Sequence, residues 1–327
     1  MSAPVTPYFD RYHRTAGEKI VTPTPIENTA FVQSPAGRCA RVVAEFSEFP
    51  HRIAQAGIRG TFLFFGSARS MSASDFSRVQ SEWTQRLDNV STDAERKEAE
   101  AKLAALAKVE WMCSIYEKTQ TLARLLTEWA CSEEGVRVGS RVATHFQNVV
   151  PNARQPLVVC TGGGPGFMEA GNKGAAEVPG GISMGVAVTL PFEKNLNPYV
   201  TPGLNFRMEY FFTRKFWEVF AAKAMVCAPG GMGTCDEMFE VLTLMQCGHC
   251  AKMPVVLLGA QFWRDIVCWE KFANYGVISQ PEVDALCFTD DPLEAFEFIV
   301  GALRREAAAA ESEASERPCT PPPPVDK

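Results

Sequence analysis

Residues 228–237 read APGGMGTCDE, a glycine-rich stretch between an apolar run and a helical pattern. Glycine occupies three of four consecutive positions, directly after the apolar run AMVC and directly before the helical pattern DEMFEVLTLM. One glycine is enough for a turn, so three indicate a backbone that a ligand approaches closely. A glycine-rich turn that opens a helix presents free N–H groups and the positive end of the helix dipole. Both suit a phosphate group.

Two further glycine-bearing turns follow apolar runs, in GTFLFFGSAR (60–69) and in PLVVCTGGG (156–164). The carboxyl ends of parallel strands meet at one edge of a sheet, and ligands bind at that edge. The sequence therefore predicts a single site built from three turns.

Strand-like apolar runs alternate with helical patterns through the middle of the chain. The later runs are SMGVAVTL (183–190), NFRMEYF (205–211), AMVCAPGG (224–231) and MPVVLLG (253–259). Unbroken apolar strands, each followed by a helix, are typical of a parallel sheet buried on both faces. We predict a doubly wound, Rossmann-like α/β fold with one main domain and extended flanks.

The flanks are rich in proline and show little periodicity, so they cannot bury enough surface to fold alone. We predict an N-terminal arm over residues 1–50 and a disordered tail over 310–327. The main Rossmann-like domain would span 51–309, with a helical excursion at about 75–131.

The net charge of −6 and the sequence pI near 5.4 argue against a nucleic-acid partner. No apolar run approaches the eighteen or so residues of a membrane helix. The N-terminal stretch MSAPVTPYFDRYHRTAGEK lacks the apolar core of a signal peptide, so we expect a cytoplasmic protein without a membrane partner.

Common cofactor motifs are missing from the sequence. GGGPG (162–166) lacks the G-x-G-x-x-G spacing of dinucleotide sites, and a GK[ST] P-loop is absent. The ligand phosphate is therefore expected to be a single group. CGHC (247–250) resembles a redox dithiol, but it follows a helix, whose C-terminal dipole disfavours a thiolate. Cys247, His249 and Cys250 also have no second ligand cluster, so we predict neither a metal nor a cofactor.

The turn at 228–237 also allows a structural interpretation. Thr234 and Glu237 fit an [ST]-x-x-[DE] capping box, in which both side chains serve only the start of the helix. The glycines would then serve close packing of the strand against the helix.

Four motifs occur in an order that resembles the LOG ("Lonely Guy") family, whose members were long described as lysine decarboxylases. They are CTGGGPGFMEAGNKGA, LPFEKNLNPYV, FFTRK and PGGMGTCDE, and the resemblance covers roughly residues 58–305. PGGMGTCDE fits the PGGxGTxxE signature at every fixed position. Arg214 lies 23 residues before Glu237, the interval that the family keeps. A pyridoxal-dependent decarboxylase would need a Schiff-base lysine in a recognisable setting, and the sequence offers none.

The resemblance implies an enzyme that hydrolyses the N-glycosidic bond of a nucleoside 5′-monophosphate, releasing the base and ribose 5-phosphate. It implies Arg214 and Glu237 as the catalytic pair, no metal or cofactor, and a homodimer or higher homo-oligomer. The substrate-binding residues that it implies, with the glycine turns, are Ser67, Gly163, Gly164, Glu193, Lys215, Gly230, Gly231, Met232, Gly233, Thr234 and Thr243. Glu169 either caps its helix or contacts the ribose.

The chemistry of these residues agrees with hydrolysis, because a carboxylate stabilises an oxocarbenium-like ribose or orients water. Phenylalanine replaces histidine in FFTRK (211–215), as in the larger bacterial-type branch of the family. The substrate base, a cytokinin or a general purine or pyrimidine, therefore stays open. The alternative is a nucleotide or cofactor carrier or sensor of the same fold without catalysis, as in molybdenum-cofactor carriers.

Overall fold

The computed structural model describes residues 23–151, 153–189 and 196–316. The chain forms two compact units, Met1–Glu45 and Phe46–Lys327. The division into arm, main domain and tail made from the sequence stays a prediction.

The strands are β1 (Gly60–Phe65), β2 (Leu157–Thr161), β3 (Ser183–Val188), β4 (Asn205–Met208), β5 (Ala222–Cys227), β6 (Val255–Leu258) and β7 (Leu286–Thr289). The helices are α1 (Thr29–Val32), α2 (Arg38–Gln55), α3 (Ala73–Asp88), α4 (Asp93–Ala107), α5 (Met112–Cys131), α6 (Glu133–Arg141), α7 (Phe167–Ala176), α8 (Phe211–Ala221), α9 (Met232–Gln246), α10 (Ala260–Ile266), α11 (Trp269–Asn274), α12 (Gln280–Asp284) and α13 (Pro292–Glu316).

The first unit, where described, consists of α1, a 3₁₀ turn over Pro35–Gly37 and the beginning of α2. The Asn28 side chain accepts a hydrogen bond from the N–H of Phe31 and so caps α1. α2 continues into the second unit, where Phe49 and Ile53 on its last turns are fully buried.

The described strands form one parallel sheet in the order β4-β3-β2-β1-β5-β6-β7. The chain starts at the centre with β1, adds β2 to β4 on one side, and then crosses to add β5 to β7 on the other. The prediction of a doubly wound parallel sheet is confirmed. The point at which the strand order reverses lies between β1 and β5, where such folds bind ligands.

The alternation of side chains along β1 shows how the sheet is covered on both faces. Phe62 and Phe64 point to one face and pack in a core with α5, α6, α7 and α13. Leu63 and Phe65 point to the other face and pack with α8, α9 and residues 46–55 of α2. Because both faces are buried, the central strands read as continuous apolar runs.

The predicted helical excursion consists of α3, α4 and α5. The charged stretch AERKEAEAKLAALA forms α4, which begins with a capping box between Thr92 and Glu95 and buries only Ala99. α5, in contrast, is a core helix that packs against α7.

Three features differ from the sequence pattern. The pattern does not predict α2, in which Pro50 interrupts a helical run. It also does not predict α12 and β7, because LCFT (286–289) is too short to stand out as a strand. The single helix expected over FWRDIVCWEKFANYG is two helices, α10 and α11, separated at Val267 and Cys268.

Candidate active site

The three glycine turns lie together at the carboxyl ends of β1, β2 and β5, and backbone hydrogen bonds connect them. The N–H of Ser67 donates to the carbonyl of Pro229 at 2.9 Å, and the carbonyl of Ser67 accepts from Phe167 at 3.2 Å. The β1 turn therefore joins the other two. Gly166 has a φ of +72°, and a Cβ there would lie 2.3 Å from the carbonyl oxygen of Ser67, so this contact requires glycine.

The turn after β2 is held by Asn172 of α7, a fully buried residue that the sequence does not single out. Its Oδ1 accepts from Thr161 Oγ1 at 2.7 Å and from Asn197 Nδ2 at 2.9 Å. Its Nδ2 donates to Ser183 Oγ at 3.0 Å and to the carbonyl of Met184 at 3.2 Å. One amide thus ties α7 to β2, to β3 and to the segment after residue 195.

Asn197 extends this hydrogen-bond network to the glycines of the β2 turn. Its N–H donates to the carbonyl of Gly163 at 2.8 Å, and its Nδ2 donates to the carbonyl of Gly164 at 3.0 Å. The N–H of Gly163 in turn donates to Thr161 Oγ1 at 2.9 Å. The sequence signal for this network is weak: an asparagine next to Lys173 within the glycine- and alanine-rich stretch GNKGAA.

The turn after β5 leads directly into α9. Gly231 is the N-cap residue and no side chain caps the helix, so the capping-box interpretation of Thr234 and Glu237 is wrong. The helix begins two residues before Thr234, whose side chain instead packs over Gly230, where a Cβ would lie 2.0 Å from its hydroxyl oxygen. Cβ atoms at Gly231 and Gly233 would meet open space, so this first turn is accessible.

The structure brings the predicted catalytic pair together beside this turn. Arg214 lies on the first turn of α8, and its Nη2 is 3.8 Å from Oε1 of Glu237 on α9. A Cβ at Gly162 would lie 3.2 Å from the same Nη2, so the guanidinium lies against the second glycine turn. Arg214 therefore connects the β2 turn to α9.

A second carboxyl contacts Arg214 from inside the protein. Glu218 lies one helical turn later on α8, is fully buried, and its Oε1 accepts from Arg214 Nε at 3.1 Å. Burial raises the pKa of Glu218 to about 8, against the opposing effect of Arg214. Burial also raises the pKa of Glu237, which Arg214 and Lys215 oppose. Sequence reasoning missed Glu218.

Lys215, the neighbour of Arg214 on α8, forms ion pairs with two other acids of α9. Its Nζ lies 2.7 Å from Oδ2 of Asp236 and 2.9 Å from Oε2 of Glu240. Burial lowers its pKa, but these acids outweigh that effect and raise it to about 12. Lys215 is therefore a fixed positive charge at the edge of the site.

The remaining predicted residues differ in position. Ser67 is half-buried within the joined turns, and its Oγ accepts from the N–H of Arg69. Thr243 is exposed on α9, three helical turns and about 16 Å along the helix from Met232. Glu193 lies outside the described residues. Glu169 lies on the first turn of α7, where its Oε1 accepts from the Tyr116 hydroxyl at 3.5 Å.

CGHC follows α9, as predicted, with Cys247 at the C-cap and Gly248 at a φ of +70°. Both cysteines are free thiols, and burial raises the pKa of Cys250. No three His, Cys, Asp or Glu side chains of the described ranges are grouped as metal ligands. Among the same ranges, no helix is both long and apolar enough to cross a membrane.

The parallel sheet with helices on both faces makes this chain a Rossmann-like α/β protein. Residues 168–299, less than half of the chain, match the family model described as "Possible lysine decarboxylase". This match confirms the resemblance to the LOG family, to which the older description refers. No curated protein gives a significant match to the chain.

Two solved structures illustrate the similarity to known proteins. The molybdenum cofactor binding protein from the phototrophic bacterium Rippkaea orientalis is 18% identical, with a TM-score of 0.35 over 56% of this chain and 86% of that one. The structural-genomics target TM1055 is 17% identical, with a TM-score of 0.40 over 74% of this chain and 99% of that one.

Proposed function

We propose that this protein hydrolyses the N-glycosidic bond of nucleoside 5′-monophosphates to free base and ribose 5-phosphate. One observation carries the proposal: Arg214 Nη2 and Glu237 Oε1 lie 3.8 Å apart beside an open, glycine-rich helix start. A site that only bound nucleotide would need the glycines but no carboxylate beside the ribose.

The 5′-phosphate binds at the start of α9 in this proposal. The N–H groups of Met232, Gly233 and Thr234 belong to the first helical turn and have no intrahelical acceptor. The positive end of the helix dipole adds to the attraction for an anion. In this proposal Ser67, Gly163 and Gly164 of the two neighbouring turns also contact the nucleotide; the hydrogen bond from the Ser67 N–H to the Pro229 carbonyl supports this for the first turn.

The ribose then lies near Glu237, one turn further along α9. In the reaction, the oxygen of water bonds to C1′ while the C1′–N bond breaks. The electron pair of that bond leaves with the base, which receives the proton that the water loses. Positive charge develops on the ribose, and the Glu237 carboxylate stabilises it and orients the water. Arg214 holds Glu237 and the ribose in position.

The test is a chromatographic assay for free base with AMP, GMP, CMP and isopentenyladenosine monophosphate. Release from the isopentenyl substrate alone would identify a cytokinin-activating enzyme, and release from several would identify a general nucleosidase. Glu237→Gln should abolish turnover and leave nucleotide binding largely intact, whereas Glu270→Gln, an exposed acid on α11, should keep wild-type activity. Nucleotide binding without base release by the wild type would favour a carrier or sensor.

We further propose that the protein acts as a cytoplasmic homo-oligomer. Large apolar side chains on α8 and α9 are exposed beside the site: Phe211, Phe212, Met232 and Phe239. An apolar patch formed by these side chains would be typical of an interface. Light scattering should give at least twice the chain mass of 35.9 kDa, and a monomer mass would contradict the proposal.

A further inference from the structure

Glu218 is a charged residue type in a fully buried position that the proposed reaction does not use. It lies on α8 between Trp217 and Val219, and its side chain has no exposed surface. Burying an ionised carboxyl is costly unless it is paired and hydrogen-bonded. A carboxyl in this position is therefore expected to be either paired with a cation or protonated.

The contacts of Glu218 converge on one atom of Arg214. Both Oε1 and Oε2 lie 3.1 Å from Arg214 Nε, but only Oε1 has hydrogen-bond geometry. No donor in the described part of the chain satisfies Oε2, which is buried. The guanidinium is thus bound on its inner side, while Nη2 remains directed towards Glu237.

The charged and titratable groups that face Glu218 come from three elements. Arg214 and Lys215 lie on the same helix, Glu237 lies on α9, and Cys160 lies on β2. The Lys215 ammonium binds Asp236 and Glu240 instead. Two buried carboxyls therefore share the single guanidinium of Arg214.

We propose that Glu218 is a positioning residue that holds Arg214 Nε while itself protonated, so that the arginine charge serves Glu237 and the nucleotide. The kinetic part of this inference rests on the proposed hydrolysis. Its structural part, the anchoring of Arg214 by a neutral carboxyl, does not.

The geometry favours the proton on Glu218 over Glu237. Glu218 is completely buried, whereas Glu237 retains 7% side-chain exposure and lies at the open turn. Glu218 Oε2 is buried and accepts no hydrogen bond. In such a position an ionised carboxylate costs more free energy than a neutral carboxyl group. The raised pKa of Glu218, about 8, agrees with a neutral group at pH 7.

The first test compares kinetics of Glu218→Gln and Glu218→Leu. Gln keeps a neutral carbonyl acceptor for Nε, so kcat should stay within about threefold of wild type; Leu removes the acceptor, and the misplaced Arg214 should lower kcat about 100-fold. The KM should change less than kcat, because the phosphate site on α9 is untouched. Equal losses in both variants, with unchanged melting temperatures, would overturn the proposal.

The pH profile gives a signature that a merely structural role would not produce. As Glu218 ionises above about pH 8, its negative charge attracts the Arg214 guanidinium away from Glu237, so wild-type kcat should fall at those pH values. Glu218→Gln cannot ionise, so its kcat should stay level over the same range. An alkaline fall shared by both proteins would contradict the inference.

A spectroscopic test separates this inference from the proposed function. The ¹H–¹⁵N signal of Arg214 Nε, assigned by its loss in Arg214→Lys, should resist solvent exchange in wild type and Glu218→Gln. It should lose that protection in Glu218→Leu. This holds even if wild type hydrolyses no nucleotide. Equal protection in all three proteins would refute the anchoring of Arg214, whatever the enzymatic result.

Discussion

Replacement of Asn172 by alanine should be among the more destabilising single changes in this fold. The side-chain amide makes four hydrogen bonds, to Thr161, Asn197, Ser183 and the carbonyl of Met184, and it has no exposed surface. Alanine removes all four hydrogen bonds, and because the position is completely buried, water does not replace them. Each lost bond costs about 1 kcal/mol when its buried partner is left unsatisfied.

The expected loss is therefore about 4 kcal/mol in the free energy of unfolding. Unfolding entropy near 2.1 cal/mol/K per residue gives about 0.7 kcal/mol/K for a chain of this size, so the melting temperature should fall by about 6 °C. The loss should also loosen the turn at Gly163 and Gly164, which Asn197 holds, and thereby weaken nucleotide binding.

Differential scanning calorimetry and titration with AMP would measure both effects. Asn89→Ala is the matched control, because that asparagine is exposed and donates one hydrogen bond, to the carbonyl of Gln85. Its melting temperature should stay within about 1 °C of wild type. If Asn172→Ala melted as the control does and bound AMP equally well, the argument from the buried network would be wrong.

Three further predictions concern other parts of the site. Gly162→Ala places a Cβ 3.0 Å from Met168 Sδ, which a flexible side chain can relieve, and 3.2 Å from Arg214 Nη2, so kcat should fall about tenfold in the base-release assay with little change in the melting temperature. Glu218 has a pKa raised from 4.5 to about 8, so its stabilising effect is complete below about pH 4.5 and lost as pH rises through 8. The wild-type melting temperature should fall relative to that of Glu218→Gln between pH 5 and 9, and parallel curves would contradict this sign. Joint replacement of Cys247 and Cys250 by serine should leave activity unchanged, with and without dithiothreitol, and a loss of activity would revive a redox role.

The central part of the fold was predictable because local sequence and burial agree there. β1, β2, β5 and β6 are covered on both faces, so each reads as an apolar run followed by a helix. Their order also fixes which turns share an edge, so the meeting of the three glycine turns follows from the class of fold. The spacing of Arg214 and Glu237 added the pair that the structure holds 3.8 Å apart.

The remaining features depend on contacts between distant segments. Asn172 and Glu218 are polar residues, which a hydropathy pattern assigns to the surface, yet both are completely buried. Their partners come from other segments or from the geometry of one helical turn, which a hydropathy pattern does not encode. The capping box failed for a related reason: the N-cap of α9 is Gly231, three residues before Thr234, where the pattern placed it.

The hydrogen bonds of Ser67 to the two other turns have a consequence for chain connectivity. The turns come from three stretches that are roughly ninety and sixty residues apart along the chain, and one serine backbone bridges them. Such contacts form only after long loops close, so they belong to the slow, topology-limited part of folding. A cleavage product that lacks β1, β2 or β5 would retain helices and glycines but would lose the proposed nucleotide site, because that site needs all three turns at the centre of the sheet.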